Sequence, residues 1–320
     1  MQYSIRHVTK FTYETVISES VMEARMQPRG DGGQRCVRFG LSTSPGSRVR
    51  MYQDHAGNAV HHFNIPGPHS LLTITAEALV ESTAIIDPPA TLDSSEWARL
   101  DSPTASGEFW DMLSPSPFAR RTDLLDLLAR DIGLGRGDDP LGTVRQLATE
   151  IYNRFEYSPS ATRVDSPIDE ALETRRGVCQ DFAHIMIALV RQLGVPCRYV
   201  SGYLSHPVDS AIRSPDGATH AWVEAWFPSL GWVGVDPTNN LVAGERHIRV
   251  AVGRDYSDVP PTRGVFKGSS AVRSELAVSV RVGSVDGSAG SDSVPFVPWM
   301  SLEAASPLPD LETSQQQQQQ

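Results

Sequence analysis

Apolar and polar side chains alternate in short runs through the first quarter of the chain, and turn residues break the runs. Tyr3 to Tyr13 alternates, with Ile5 facing opposite to Arg6. Cys36 to Leu41 alternates again, and Leu71 to Val80 supplies a further strand. Asp54-His55-Ala56-Gly57-Asn58 has the residues of a hairpin turn, since Gly and Asn tolerate positive φ. Residues 1–86 therefore read as an all-β unit with no catalytic signature. Pro, Ser and Asp dominate the next stretch, and residues 87–120, with Trp97 and Trp110, read as a connecting segment with short helical pieces.

The period then becomes helical. Asp123 to Ala129 carries Leu124, Leu125, Leu127 and Leu128, and Leu141 to Phe155 carries Val144, Leu147 and Ile151. Ser166-Pro167-Ile168-Asp169-Glu170 is a helix start, with a capping serine, proline in the first turn and acids after it. Cys179 to Leu193 is apolar nearly all the way round, which predicts a buried helix stopped by Gly194-Val195-Pro196. Three strands follow, Cys197–Leu204, His220–Phe227 and Trp232–Asp236, and Glu275–Val282 alternates as a last strand. A core unit over 121–283 results. Residues 284–320, rich in Ser, Gly and Pro and ending in six glutamines, read as a disordered low-complexity tail.

Composition narrows the partners. A net charge of −10 with no basic stripe argues against a nucleic-acid partner and against attraction to anionic membrane surfaces. No run approaches the ~18 apolar residues of a membrane span. Met1 to His7 has no apolar leader pattern. Three cysteines, Cys36, Cys179 and Cys197, are too few and odd in number for a disulfide framework. A cytoplasmic location is expected, where Cys179 stays a usable thiol.

Cys179, His220 and Asp236 each stand at the edge of a predicted element, and together they have the residue types of an acyl-transferring thiol site. A thiol with a pKa of ~8.5 needs help to ionise near neutrality. The amino end of a helix favours the thiolate, and an imidazole can take the proton and later deliver it to a leaving amine. A carboxylate fixes the imidazole tautomer. The hairpin between the second and third strands decides whether His220 and Asp236 meet. Closing it with Trp226 opposite Trp232 sets Trp222 opposite Asp236 and makes His220 a diagonal neighbour on the same face. Closing it with Phe227 opposite Trp232 sends the two to opposite faces. An odd-length turn or a bulge is required. The backbone N–H of Cys179 is one candidate oxyanion donor, with Tyr157 or Trp222 as the second.

At these residues the chain resembles the transglutaminase-like superfamily of papain-type thiol enzymes. The segments that carry the resemblance are Arg175 to His184, Gly194 to Leu204, His220 to Trp226 and Gly231 to Thr238, in the family's order and spacing. Residues 1 to about 80 are similar to the β-rich domain that precedes this core in its bacterial branch. The resemblance implies an α+β fold, a sandwich-like all-β domain followed by a papain-like core. It also implies Cys179 as nucleophile, His220 as base and Asp236 as orienting partner. Members include cross-linkers, deamidases and peptidases, which share one thioester step on a peptide or protein amide and differ in the acceptor. Hydrolysis is favoured here, because no acidic calcium loop of the EF-hand kind is present. Amine transfer, or a non-catalytic peptide-binding scaffold, is the alternative. No cofactor is called for.

Other conspicuous residues keep structural readings. Cys36 and Cys197 read as strand residues facing a core, His184 as a packed histidine, and Asp181 as a first-turn capping acid. His55, His61, His62 and His69 lack the paired spacing of a zinc site, so no metal is expected.

Overall fold

The computed structural model describes residues 1–83, 87–159, 161–206, 212–268 and 273–285. The tail expected beyond Ser284 lies, after Val285, outside the described residues. The chain divides into two compact units, residues 1–83 with the stretch from Pro261 onward, and residues 84–260.

The first unit is one hydrogen-bonded sheet of six strands. Its strands β1 (Gln2–Ala24) and β4 (Ala59–Ser82) are long and antiparallel, with a register break between Thr12 and Glu19. Strand β2 (Gln34–Ser44) pairs with the second half of β4, and β3 (Arg50–Gln53) with its first half. Tyr3, Ile5, His7 and Thr9 are buried in alternation, as the period-2 pattern requires. Met22, Ala24, Phe63 and Ile65 from one half of the long strands share a core with Leu72, Ile74 and Ala76 from the other. The bent sheet thus closes over its own apolar face and is sandwich-like. The turn expected at Asp54–Asn58 forms with Gly57 at φ 75°, and Asp54 Oδ1 accepts from the Ala56 and Asn58 N–H groups.

One assignment made from the sequence is corrected here. Glu275–Val282 does not extend the core unit. It lies within a strand (Ser274–Ser284) that pairs along β1 from Tyr3↔Ser284 to Tyr13↔Ser274, and a strand at Thr262–Lys267 pairs with the other end of β1. The second unit therefore ends at Pro260 and not at 283. Alternation reports that one face of a strand is buried, but not which sheet buries it.

The second unit carries helices α1 (Ser95–Ala105), α2 (Trp110–Leu113), α3 (Asp123–Asp131), α4 (Pro140–Arg154), α5 (Ile168–Thr174) and α6 (Cys179–Gln192). The short strands β5 (Glu156–Tyr157) and β6 (Arg176–Gly177) run parallel just before α6. A five-stranded sheet is built from β7 (Cys197–Leu204), β8 (His220–Phe227), β9 (Gly231–Asp236), β10 (Leu241–Val242) and β11 (His247–Gly253), in the order β10-β9-β8-β7-β11. Continuing the strand numbering, β12 and β13 are the two strands given above to the first unit. Helix α6 is buried on every side, in keeping with its sequence, and the Arg191 guanidinium near its end donates to five oxygens of three surrounding segments.

Glycines set the spacing of the central strands. A Cβ at Gly202 would stand 2.2 Å from the Ile248 carbonyl oxygen and 2.7 Å from the Trp222 ring. We therefore expect Gly202→Ala to destabilise the protein by about 2–3 kcal/mol, read as a lower urea midpoint with an unchanged m-value. An unshifted midpoint would show that the indole has room to move.

Candidate active site

Cys179 is the first residue of α6, and its turn is shaped by Asp181. The Asp181 carboxylate, two residues further on, accepts from the Val178 N–H at 2.8 Å and from the Thr162 hydroxyl at 2.5 Å. Asp181 thus caps the helix, as its position suggested. Gly177 is required because a Cβ there would meet Asp181 Oδ2 at 2.8 Å. Burial pushes the Asp181 carboxyl up to about 6, against the pull of its two donors.

The hairpin takes the register the site needs. Phe227 pairs with Gly231 and Trp226 with Trp232, around the three-residue link Pro228-Ser229-Leu230. Gly231 adopts φ 72°, and the Leu230 N–H donates to the Phe227 carbonyl. Continuing this register sets Trp222 opposite Asp236, so His220 and Asp236 are diagonal neighbours. His220 Nε2 lies 2.7 Å from Asp236 Oδ2, a charge-assisted bond between fully buried groups.

Asp236 is saturated with donors. Oδ1 accepts from the Thr238 N–H at 2.9 Å and the Asn239 N–H at 3.2 Å. Oδ2 accepts from His220, from Asn239 Nδ2 at 2.8 Å and from His247 Nε2 at 3.3 Å. The first pair is the local turn an aspartate makes with its own following backbone. Sequence reasoning missed Asn239 and His247. Asn239 had a signal in the Asp236-Pro237-Thr238-Asn239 turn, whereas His247 had none, because β11 joins the sheet across β7 rather than beside β9. The Gly244 N–H donates to His247 Nδ1 at 3.2 Å, which assigns the His247 proton to Nε2.

Burial opposes charging His220, but the Asp236 carboxylate outweighs it, and with the Cys179 sulfur raises the imidazole pKa to about 10. His220 and its hydrogen bond hold Asp236, despite its burial, far below the usual carboxylate range. Burial lowers His247, only partly offset by Asp236. The other nitrogen of His220, Nδ1, is buried without a hydrogen-bond partner, and the Cys179 sulfur is close enough to favour the charged ring. Cys179 is only 4% exposed and His220 3%, so water reaches neither group freely.

Trp222 stacks on the His220 ring at 6.0 Å and meets His247 edge-on at 5.1 Å. Its Nε1 is buried with no acceptor, which keeps it a candidate oxyanion donor. Gly202 and Gly234, on the two neighbouring strands, leave the space the indole occupies. His220, Asp236 and His247 have the composition of a two-histidine, one-carboxylate metal set, with ligand atoms within 4.8 Å of one another. Both imidazoles point protonated Nε2 atoms at one carboxylate oxygen, so the trio is a hydrogen-bond network without lone pairs to offer an ion.

The remaining residues singled out from the sequence are structural. Cys197 is wholly buried, and burial pushes its thiol up to about 12. Cys36 is only half-buried, less enclosed than a core residue, and donates to the Arg38 carbonyl. His184 stacks on Phe118 at 5.3 Å and accepts from the Tyr256 N–H, and burial lowers its pKa to about 4. His69 is taken up by Ser20 and the Gly67 carbonyl.

A helix-borne cysteine brought to a His–Asp pair on an antiparallel sheet defines the papain-like class of α+β proteins. Residues 128–237 match the transglutaminase-like superfamily, and residues 3–81 match the bacterial transglutaminase-like N-terminal region. The chain belongs to the transglutaminase-like superfamily. An uncharacterized protein of Mycobacterium tuberculosis is 36% identical over 307 residues, covering 90% of this chain and 94% of its own. One from Mycobacterium leprae is 34% identical over 276 residues, 86% of this chain and 96% of that one. A protein-glutamine gamma-glutamyltransferase of Pseudomonas aeruginosa is 38% identical over 95 residues, 29% of this chain but only 14% of that enzyme. A crystal structure from Cytophaga hutchinsonii, described as a candidate cysteine protease, shares the fold with a TM-score of 0.68 at 23% identity. It covers 89% of this chain and 93% of its own.

The His220–Asp236 pair sets a pH dependence. Below about 6.5 the imidazole is charged both folded and unfolded, and the pair contributes its full stability. As pH rises from there towards about 10 the unfolded chain releases the proton while the folded one keeps it, so stability falls. The urea midpoint of the native protein should decline over that window. In Asp236→Asn the ring-proton NMR resonance of His220 should titrate well below its value in the native protein, because burial is then opposed only by the Cys179 sulfur. An unmoved titration would mean that Asp236 does not hold the charge. For His247→Ala, losing one donor to a buried anion should cost about tenfold in kcat with KM little changed. A change confined to KM would instead place His247 in substrate binding.

Proposed function

We propose that this protein is a thiol enzyme that opens peptide or protein amide bonds through a thioester on Cys179, with water as the acceptor. Cys179 Sγ attacks the amide carbonyl carbon, and the C–N bond breaks as the His220 imidazolium gives its proton to the leaving amine. Water then attacks the thioester while His220 takes up its proton. The C–S bond breaks, releasing a carboxylic acid and restoring the Cys179–His220 pair. Asp236 keeps the imidazole oriented through both proton transfers. The observation that carries this reading is the buried 2.7 Å His220–Asp236 bond, with the Cys179 sulfur acting on the same ring. A reducing compartment, the cytoplasm, suits it, because all three cysteines are free thiols.

A second reading has an amine, rather than water, resolve the thioester. The 38% identity to a protein-glutamine gamma-glutamyltransferase across part of the core favours it. The acid–base groups are the same in both cases; only the nucleophile of the second step differs.

Iodoacetamide at about pH 6, followed by peptide mass mapping, tests for an activated thiol. Cys179 should be alkylated well ahead of Cys36 and Cys197, whose thiols burial pushes up, and His220→Ala should abolish that advantage. Equal labelling of Cys179 and Cys36 would favour a non-catalytic scaffold. With a glutamine-containing peptide library, release of ammonia or of shorter peptides marks hydrolysis, whereas incorporation of a fluorescent primary amine marks transfer. Cys179→Ala should remove either signal.

A further inference from the structure

A cavity of about 680 Å³ lies against the strands that lead into α6. Its walls carry four arginines, Arg154, Arg175, Arg176 and Arg213, against a single carboxylate, Glu156, in a chain whose net charge is −10. Arg154 and Arg176 are already paired, the first with Glu150 and Asp131 and the second with Glu156. The other two guanidinium groups have no carboxylate partner among the described residues.

Arg213 is fixed rather than loose. Its Nη1 donates to the Tyr152 and Phe155 carbonyls, and its guanidinium stacks 3.4 Å over the Tyr152 ring. Arg175 stacks over the Phe155 ring at 5.1 Å, and its Nη1 is buried with no hydrogen-bond partner. A buried cationic donor left unpaired is costly, and turning this half-buried side chain outward to meet an acceptor in the cavity removes that cost. Its backbone is also held at φ 56° and ψ 28°, a left-handed conformation unusual for a residue with a side chain.

The cavity adjoins the thiol turn. Tyr157 on its wall pairs with Gly177, two residues before Cys179. Phe155 and Tyr157 pack on the Phe182 ring, at 5.7 and 6.4 Å, and Phe182 lies three residues beyond the cysteine on α6. The cavity wall and the cysteine thus rest on the same first turn of α6.

We infer that Arg175 and Arg213 form a subsite for a carboxylate of the peptide substrate, so that the enzyme selects amides with an acidic residue close by. The inference rests on the amide-opening reading, but binding tests it without turnover. Two guanidinium groups lining one cavity suit the two oxygens of a carboxylate better than a neutral amide.

The test uses the full chain carrying Cys179→Ala and fluorescence anisotropy of two labelled peptides, one with glutamates and its counterpart with glutamines at the same positions. The glutamate peptide should bind about tenfold more tightly, and the preference should shrink as ionic strength rises. Arg175→Gln and Arg213→Gln should each remove most of that preference. Because Arg213 also anchors two carbonyls, Arg175→Gln is the decisive variant if the other misfolds. Equal binding of the two peptides would overturn the inference, as would a preference that survives Arg175→Gln. Displacement of the glutamate peptide by inorganic phosphate at the same or lower concentration would assign the cavity to a free anion and overturn it too. Loss of catalysis with intact glutamate-selective binding would leave the subsite standing and remove only the enzymatic reading.

Discussion

A carboxylate with no exposed surface sits inside the second unit, and the arrangement around it follows from the cost of keeping it there. An isolated buried anion costs several kcal/mol, so Asp236 survives as a charge only because five N–H donors surround it. Those donors come from three places: its own turn, the start of β8 and the start of β11. Meeting the demand of one side chain therefore fixes the ends of three strands relative to one another. The charge on Asp236 in turn keeps His220 protonated against its burial, and a protonated imidazole is what a neighbouring sulfur requires to become a nucleophile.

The thiol is set by a second, separate constraint. Asp181 closes the first turn of α6, Gly177 makes room for it, and Thr162 ties it to the preceding loop. The helix behind is buried along its length and clamped at its far end by Arg191. Neither half of the site is assembled by the other. The helix delivers sulfur and the sheet delivers a charged ring, each held by hydrogen bonds that would be present without the partner. Such prior fixation lowers the reorganisation needed at the moment of reaction. The same first turn, through Phe182, supports the wall of the arginine cavity, so that wall and the cysteine share one support.

Much of this was legible before any coordinates. Helix α6 announced itself through apolar residues on every face, and Cys179 through its place at the start of that helix. The hairpin register was reducible to a choice between two closing pairs, of which the observed Trp226–Trp232 pair is the one that lets His220 reach Asp236. Where the reading failed, distance along the chain was the cause. The alternation of Glu275–Val282 was correct as a strand but silent about its sheet, and it belongs beside β1, more than 250 residues earlier. His247 opens a strand that pairs with β7, which removes it from the sequence neighbourhood of Asp236 while bringing it within 3.3 Å in space. The pairing of Arg175 with Arg213 carried no local signal either, since the two meet only at a cavity.

By itself the sequence determined the types of element, the cysteine's helix and the residue classes of the candidate site, because periodicity, caps and turn residues act over a few positions and are written there. Only the tertiary structure decided which strands share a sheet, how many donors Asp236 collects, and which cations find no acid among the described residues. Those outcomes depend on burial, and burial is a property of the whole fold: a polar group's partners are whichever groups the chain encloses with it.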